Sequence, residues 1–382
     1  MSTKLSPFLQ WLALLLLMPL LAVLAYGLVD LLIAPLDGTA VNGPGGGVNT
    51  AVPYPTVTPI PATATPLPVG YSRTNPHPVG STVHMRDWEV ATVGNIIRGD
   101  EAWRILQEAN YFNDPPPDGS EYLLVQFRLA HTRQTGEEQY LALHVTGSQN
   151  VLHYSFDNGE VPPESVLDTT LPARGKSEGW EAYTIAAGER NLVVMIEDLH
   201  NYDEMSQYLS LTDDLAPVIP YEKLREIQPN DVGGDPAHPA ALGQTVLTNF
   251  WQVTVLEMTH GEAAWQQLLE TNRYNDPPPT GMEYVLCRVQ VRYLGLVDEP
   301  ALVSRFSHFW AQSGQGEATE RLPIVVPEPE LDIELFPGGE FTGWLAFLVA
   351  VDDPTPLLVF EPDVVLPEEA AERYFAVVRD GR

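Results

Sequence analysis

The sequence predicts a mainly β protein: two tandem β-sandwiches, each with one inserted α-helix, preceded by a transmembrane helix. Three observations lead to this prediction. The amino-terminal segment holds a long uncharged apolar run, much of the remainder alternates apolar and polar residues over short stretches, and the phrase NDPPP occurs twice. These observations divide the 382 residues into an anchor, a spacer and two copies of one domain.

The first element is an apolar run from Phe8 to Val29 that contains no charged residue. A helix of this length rises about 33 Å, enough to cross the hydrocarbon core of a bilayer. Lys4 precedes the run and acidic residues follow it, so we expect the amino terminus in the cytoplasm and the rest of the chain outside. We predict a single-pass anchor within residues 1–36. A signal peptide cleaved after a small-residue site at 23–25, which would give a secreted protein, is the alternative.

Residues 37–78 are rich in Pro, Thr and Gly and carry almost no charge. Such runs favour extended polyproline II, which rises about 3.1 Å per residue and acts as a semi-rigid spacer. We therefore predict a linker over residues 37–78 that holds the globular part away from the membrane.

Two later stretches match each other in order, which is the mark of an internal repeat. VGSTVHMRDWEV (from residue 79) matches LGQTVLTNFWQV (from 242), and GDEAWRILQEAN (from 99) matches GEAAWQQLLETN (from 261). The matches align Trp88 with Trp251. We predict a tandem duplication, with repeats at 79–219 and 241–382 joined by a linker at 220–240.

Within each repeat the apolar pattern is mostly that of strands. Leu123, Val125 and Phe127 alternate with residues expected to be polar or exposed, as in a half-buried strand. About seven such strands in a repeat of this length indicate an immunoglobulin-like sandwich. One helix interrupts the strands, and its apolar face carries Trp103 in the first repeat and Trp265 in the second.

The doubled phrase follows the helix, as NYFNDPPPDGSEY at 110–122 and NRYNDPPPTGMEY at 272–284. Asparagine tolerates left-handed geometry where a helix ends, and the triple proline is a stiff strut without amide donors. We expect the aromatic residue, Phe112 or Tyr274, to pack, and the Asp and Glu side chains to accept structural hydrogen bonds. The predicted structural motif comprises Trp103, Asn110, Asn113, Asp114, Pro115, Gly119 and Glu121, and in the second repeat Trp265, Asn272, Asn275, Asp276, Pro277, Gly281 and Glu283.

The order of these motifs resembles a family of bacterial exported domains of unknown function, related to the mycobacterial immunoprotective extracellular antigen. The resemblance rests on Val/Leu-Gly-x-Thr-Val, the tryptophan strand, NDPPPxGxEY and a late Gly-Trp strand, over roughly residues 79–200 and 241–362. It implies an extracytoplasmic immunoglobulin-like fold without an established activity, and it supplies no functional residues. This chain lacks the lipid-accepting cysteine of the lipoprotein members.

The formal net charge of −31 argues against nucleic acid and against anionic membrane surfaces as partners, because both require basic residues. An acidic surface keeps a protein soluble, and calcium binding is a remote alternative. Calcium takes six to eight oxygen ligands, whereas the third acid near the phrase, Asp118, is replaced by Thr280 in the second repeat. We predict no metal site.

No pattern typical of an enzyme stands out. Gly175–Gly179 fits G-x-S-x-G, but a strand-like stretch follows where the serine-hydrolase elbow requires a helix. The histidines lack zinc-binding spacing, although His144 and His308 occupy similar places in the two repeats. The single cysteine, Cys287, lies on the buried side of a predicted strand. We predict neither enzymatic activity nor a cofactor.

Two functions fit these features. A membrane-anchored extracytoplasmic binding module would recognise a protein, peptide or glycan through its loops or a sheet edge. A structural envelope or spacer protein would have no discrete ligand. Exposed aromatic residues that differ between the repeats would favour the binding module, and two equally featureless polar surfaces would favour the spacer.

Overall fold

Strands dominate the structure, a computed structural model that describes residues 67–156, 159–201, 203–213, 219–319, 323–362 and 372–378. The prediction of a mainly β chain with few helices is confirmed for this part of the chain. The predicted transmembrane anchor and the linker up to residue 66 lie outside it. Among the residues described, none of the helices has the length and apolar character needed to span a bilayer.

The first half, residues 67–213, contains two sheets and one helix. Its elements are β1 (Thr82–His84), β2 (Trp88–Thr92), β3 (Ile97–Arg98), α1 (Asp100–Ala109), β4 (Ser120–His131), β5 (Gln139–Thr146), β6 (Leu152–His153), β7 (Thr170–Leu171), β8 (Lys176–Ala186), β9 (Val193–Asp198) and β10 (Gln207–Ser210). One sheet has the order β1-β2-β4-β3, with β8 also paired to β4. The other has the order β10-β9-β5-β6, with β7 paired to β5.

The second half, residues 219–378, repeats this plan. Its elements are α2 (Tyr221–Glu226), β11 (Thr245–Leu247), β12 (Trp251–His260), α3 (Gly261–Thr271), β13 (Met282–Tyr293), β14 (Ala301–Ser304), β15 (Phe309–Gln312), β16 (Asp332–Leu335), β17 (Glu340–Ala350), β18 (Leu357–Phe360) and β19 (Arg373–Ala376). The four-stranded sheet β11-β12-β13-β17 corresponds to β1-β2-β4-β8. Trp88 and Trp251 each open the second strand of these sheets.

Each half buries an apolar core between its sheets. In the first half Val125 and Phe127 of β4 pack with Val145 of β5 and Val194 of β9. In the second half the free thiol of Cys287 lies fully buried in the equivalent core, as predicted, and burial raises its pKa well above the ordinary value. The thiol is therefore a small apolar core group.

A helix covers the outer face of the sheet that contains β4 and of the sheet that contains β13, so each of these central strands is buried on both sides. Leu106 of α1 packs on Tyr122 and Leu124 of β4, and α3 packs in the same way on β13. The prediction of a half-buried strand was wrong at these positions. The sequence does not alternate between apolar and polar residues here, because the residues under the helix are as apolar as those in the core.

The facing sheets of the two halves differ in one strand. The continuous strand β5 of the first half corresponds to two shorter strands, β14 and β15, separated by a turn. In the sheet register His144 lies opposite Met195, and Trp310 lies opposite Val359 at the equivalent place. His144 therefore corresponds to Trp310 rather than to His308, because the turn shifts the alignment.

The described part of the first predicted linker, residues 67–78, and the second predicted linker, residues 220–240, take part in the folded body. Arg73 lies within the predicted linker at 37–78, yet it is fully buried. Leu224 of α2 is buried within the predicted linker at 220–240, and the Gly233 carbonyl accepts a hydrogen bond from the amide of Tyr374 in β19. These linkers were predicted from composition, which does not show which individual residues make buried contacts.

Arg73 joins the two halves. Its Nε donates to Asp298 Oδ1 of the second half at 2.8 Å, and its Nη1 donates to Asn150 Oδ1 of the first half at 3.0 Å. Its guanidinium lies 3.7 Å from the centroid of the Phe336 ring. Burial lowers the pKa of Arg73 and the nearby Asp298 opposes this, so the carboxylate offsets part of the cost of burying the cation.

Candidate functional site

The NDPPP phrase forms the same exposed turn in both halves, and we call residues 110–119 the first turn and residues 272–281 the second turn. Asn110 follows the last residue of α1 with φ −148° and ψ 116°, and Asn272 follows α3 with φ −145° and ψ 110°. The predicted left-handed geometry was wrong. The side-chain oxygen of Asn110 instead accepts the amide of Phe112 at 3.2 Å, and that of Asn272 accepts the amide of Tyr274 at 3.0 Å, as in an Asx turn.

A buried asparagine fixes each turn to the body. Asn113 Nδ2 donates to the carbonyl oxygen of Leu106 at 2.8 Å and to that of Val161 at 2.8 Å. Its Oδ1 accepts the amide of Val161 at 2.8 Å. The side-chain amide thus pairs with Val161 as a strand backbone would, and it also satisfies a carbonyl at the helix end.

The second turn repeats these contacts. Asn275 Nδ2 donates to the carbonyl oxygens of Leu268 at 2.8 Å and Val325 at 2.9 Å, and Oδ1 accepts the amide of Val325 at 3.0 Å. We call Asn113 and Asn275 the asparagine clamps. The sequence analysis included both residues in the motif but assigned them no bond. Their identity in both repeats was the only signal of this role.

The neighbouring aspartates act through their backbone. The Tyr122 hydroxyl donates to the Asp114 carbonyl oxygen at 2.9 Å, and the Tyr284 hydroxyl donates to that of Asp276 at 3.1 Å. Burial, with smaller effects from Glu160 and Asp114, raises the pKa of Tyr122 to about 12. The Asp114 carboxylate is exposed, so the prediction that it accepts the amides of the turn was wrong within the described structure.

The glutamates bond near the start of their strands. Glu121 Oε1 accepts the amide of Gly188 at 2.8 Å and pairs with Arg98. Burial acts to raise the pKa of Glu121, but these hydrogen bonds and the charge of Arg98 outweigh it and lower the pKa. In the second half Glu283 lies 3.9 Å from the His260 ring nitrogen.

The remaining predicted residues shape the turn. The amide of Ser120 donates to the carbonyl oxygen of Pro117 at 2.9 Å, which closes a tight turn after the triproline strut begun by Pro115. Gly119 and Gly281 have φ values of +82° and +84°, in the region that glycine adopts without steric cost. The same turn precedes β13, where Pro277 opens the strut.

Trp103 and Trp265 are only half-buried. Their rings lie beside Tyr122 and Tyr284, with centroids 6.0 Å apart in both halves. The fully buried helix positions are Ala102 and Leu106 in the first half. The tryptophans therefore cover the edge of the helix–sheet contact and do not fill its centre.

Each turn displays an aromatic residue to solvent, contrary to the prediction that this residue packs. Phe112 is 85% exposed and Tyr111 is 83% exposed, with the two rings edge to face and their centroids 5.9 Å apart. Tyr274 in the second turn is 75% exposed. In each turn the exposed aromatic residue directly precedes the buried clamp asparagine.

The neighbours of the exposed ring differ between the two turns. Arg273 stands where the first turn has Tyr111, and its guanidinium lies 4.8 Å from the centroid of the Tyr274 ring. The first turn therefore presents two bare rings, and the second presents one ring beside a cation. Both arrangements place aromatic surface in contact with solvent.

The serine of the G-x-S-x-G match lies within a strand. Ser177 of the G-x-S-x-G match lies in β8, and its hydroxyl accepts the amide of Asp168 at 2.8 Å. A strand follows this serine, whereas the hydrolase elbow requires a helix. Within the described ranges no three His, Cys, Asp or Glu side chains are grouped so that they could hold a metal ion.

Comparison with known proteins identified similar solved structures only. No family model matches the chain, and no curated protein matches it. Among the similar structures are a candidate lipoprotein, YcdA, of Bacillus subtilis (14% identity, TM-score 0.28) and the YjhA protein of the same organism (12%, 0.26). An uncharacterized β-sandwich protein of Clostridium difficile is a third (9%, 0.23). Each match covers 36% of this chain, and the matches cover 39%, 98% and 95% of those proteins, respectively.

Proposed function

We propose that this chain is a membrane-anchored extracytoplasmic binding protein that contacts a protein, peptide or glycan partner through the first turn. The observation that supports this proposal is the exposure of Tyr111 and Phe112 on a turn whose backbone the Asn113 clamp holds in place. The equivalent turn of the second half lacks this aromatic pair. Exposed aromatic residues that differ between repeats are what a binding module requires.

Physical chemistry favours binding at such a turn. Large aromatic side chains contribute much of the contact energy in interfaces, because they bury a large area and lose little conformational entropy. A turn fixed by a buried side chain is already ordered before the partner arrives, which lowers the entropic cost of association. Tyr111 and Phe112 meet both conditions.

The proposal includes the architecture and the location. The two halves are tandem immunoglobulin-like sandwiches of the exported family that the motifs resemble. The apolar run supports a single-pass helix within residues 1–36, with both sandwiches outside the cytoplasm. The net charge of −31 supports a partner other than nucleic acid. We assign the protein no catalytic reaction.

Site-specific photo-crosslinking of the full chain in its native cells tests the proposal. A photoreactive phenylalanine analogue replaces Phe112 in one variant, Tyr274 in a matched variant, and the partly exposed Phe250 in a control. We expect a discrete crosslinked product at position 112 that is absent at position 250. The substitution is conservative and exposed, so it should not disturb folding.

Loss of function by mutation provides the complementary test. Combined Tyr111→Ser and Phe112→Ser changes should abolish the partner contact, and they should leave the unfolding temperature unchanged because both rings lie in solvent. If position 112 yields no product beyond that seen at position 250, the chain is a spacer without a discrete ligand and the proposal is wrong.

A further inference from the structure

In the second turn a guanidinium group already covers the aromatic ring. The Arg273 guanidinium lies over the Tyr274 ring, and Nη2 donates to the Tyr274 hydroxyl at 2.6 Å. A guanidinium is a flat and weakly hydrated cation, and it stacks on aromatic faces more readily than an ammonium group does. The chain therefore shows, in its own second half, which chemical group this turn geometry holds.

The first turn has the same backbone but no cation. Its residues 110–119 contain two carboxylates, Asp114 and Asp118, and no Lys or Arg, which gives a formal charge of −2. Residues 272–281 contain one cation, Arg273, and one acid, Asp276, so their charges cancel. Relative to its counterpart, the first turn lacks the arginine and has one further carboxylate and one further aromatic ring.

We propose that the first turn binds an arginine side chain presented by a partner protein. The guanidinium stacks on the Phe112 or Tyr111 ring, as Arg273 stacks on Tyr274, while the turn carboxylates Asp114 and Asp118 attract its charge. This inference rests on the function proposed above and specifies the partner. The ligand supplies the guanidinium that the second turn has in Arg273, and it stacks on ring faces that the edge-to-face pair of Tyr111 and Phe112 leaves exposed.

Charge complementarity favours this partner over a glycan. A neutral sugar would use the aromatic faces but would gain nothing from Asp114 and Asp118, both exposed in the same turn. At physiological salt the net charge of −31 attracts cationic surfaces over a distance of about 8 Å. An arginine-bearing protein surface matches both the rings and the carboxylates.

A comparison of two peptides on the full-length protein in detergent micelles tests the inference. The probes are an oligoarginine peptide and an oligolysine peptide of equal length and charge, at physiological salt. Long-range attraction is the same for both, so the difference in Kd reports stacking. We expect the arginine peptide to bind about two- to fivefold more tightly, the factor that an exposed cation–π contact supplies.

Two variants locate the effect in the first turn. Phe112→Ala removes a ring, and Tyr111→Arg reproduces the second turn, so that the new side chain covers Phe112 intramolecularly. Both should abolish the arginine preference without changing the unfolding temperature. Tyr274→Ala is the matched control and should retain the preference, because that ring is already occupied by Arg273.

The outcomes separate this inference from the proposed function. An arginine preference that survives in both first-turn variants would place arginine binding elsewhere and overturn the inference. Equal affinity for the two peptides, together with a crosslinked product at position 112, would retain the binding function but reject arginine as its ligand. Equal affinity with no crosslinked product would reject both proposals.

Discussion

Replacement of one buried carboxylate should change how the stability of this protein depends on pH. Glu181 lies in β8, opposite Val125 of β4, and it is only 3% exposed. Leu345 occupies the equivalent position in β17, opposite Cys287, and packs in the core of the second half. A carboxylate thus stands in the first half where the second half has an ordinary core leucine.

The magnitude follows from the pKa of this group. Burial raises the pKa of Glu181 from 4.5 to about 7, and a hydrogen bond from Ser155 only partly opposes the rise. In the described structure Glu181 Oε2 has no hydrogen-bond partner. The folded state therefore holds its proton at pH values where the unfolded state has released it. Stability falls as the pH rises from about 4.5 to about 7, by about 3 kcal/mol in total.

Glu181→Leu should remove this dependence. Urea unfolding of the full-length protein, followed by tryptophan fluorescence at pH 5 and pH 8, gives the free energy of unfolding of each form. We expect the advantage of the variant over the natural protein to be larger at pH 8 than at pH 5, by about 2–3 kcal/mol. Both forms contain the same other titrating groups, so the contributions of those groups to the pH dependence cancel in the comparison. One such group is His144, and burial lowers its pKa to about 4.

The reciprocal change is the matched control. Leu345→Glu places a carboxylate in the second core and should create a similar loss of stability as the pH rises from about 4.5 toward neutral. If the advantage of Glu181→Leu is the same at both pH values within about 0.5 kcal/mol, the Glu181 carboxyl is already ionised in the folded protein. The explanation by burial would then be wrong.

Further substitutions test the other structural roles. Arg73→Ala should lower the free energy of unfolding by about 3–5 kcal/mol, because it leaves Asp298 as an uncompensated charge, and urea unfolding measures the loss. Asn113→Ala should cost about 2–3 kcal/mol through unsatisfied buried groups, whereas Asp114→Ala should change stability by less than about 0.5 kcal/mol. Trp103→Ala should cost about 1–3 kcal/mol, below the 3–5 kcal/mol of a fully buried tryptophan, as thermal unfolding will show. Millimolar calcium followed by chelator should leave the unfolding temperature unchanged, and a reversible shift that depends on Asp114 would reveal a metal site.

The mainly β character could be predicted because the alternation of apolar and polar residues is visible without knowledge of contacts. The ordered matches placed Trp88 and Trp251 on equivalent strands and both turns after their helices. The contacts made by single side chains were not predictable. Asn113 and Asp114 are adjacent polar residues, and only the path of the chain decides which of them enters the body. Phe112 was expected to pack because apolar side chains usually do, yet it lies in solvent beside the buried Asn113.

The insertion of Arg73 between the halves has a consequence for the order of folding. Its partner Asp298 lies 225 residues further along the chain. At the usual rate of about 5–20 residues per second, roughly 10–45 s separate the synthesis of the two residues. The first half can complete its own sheets in that interval, including the hydrogen bonds that join Gly70 and His77 to Tyr208 of β10. The ion pair between Arg73 and Asp298 can form only after the second half has been made. This contact between the halves therefore becomes available late in synthesis, although Arg73 is among the first residues of the folded part to be made.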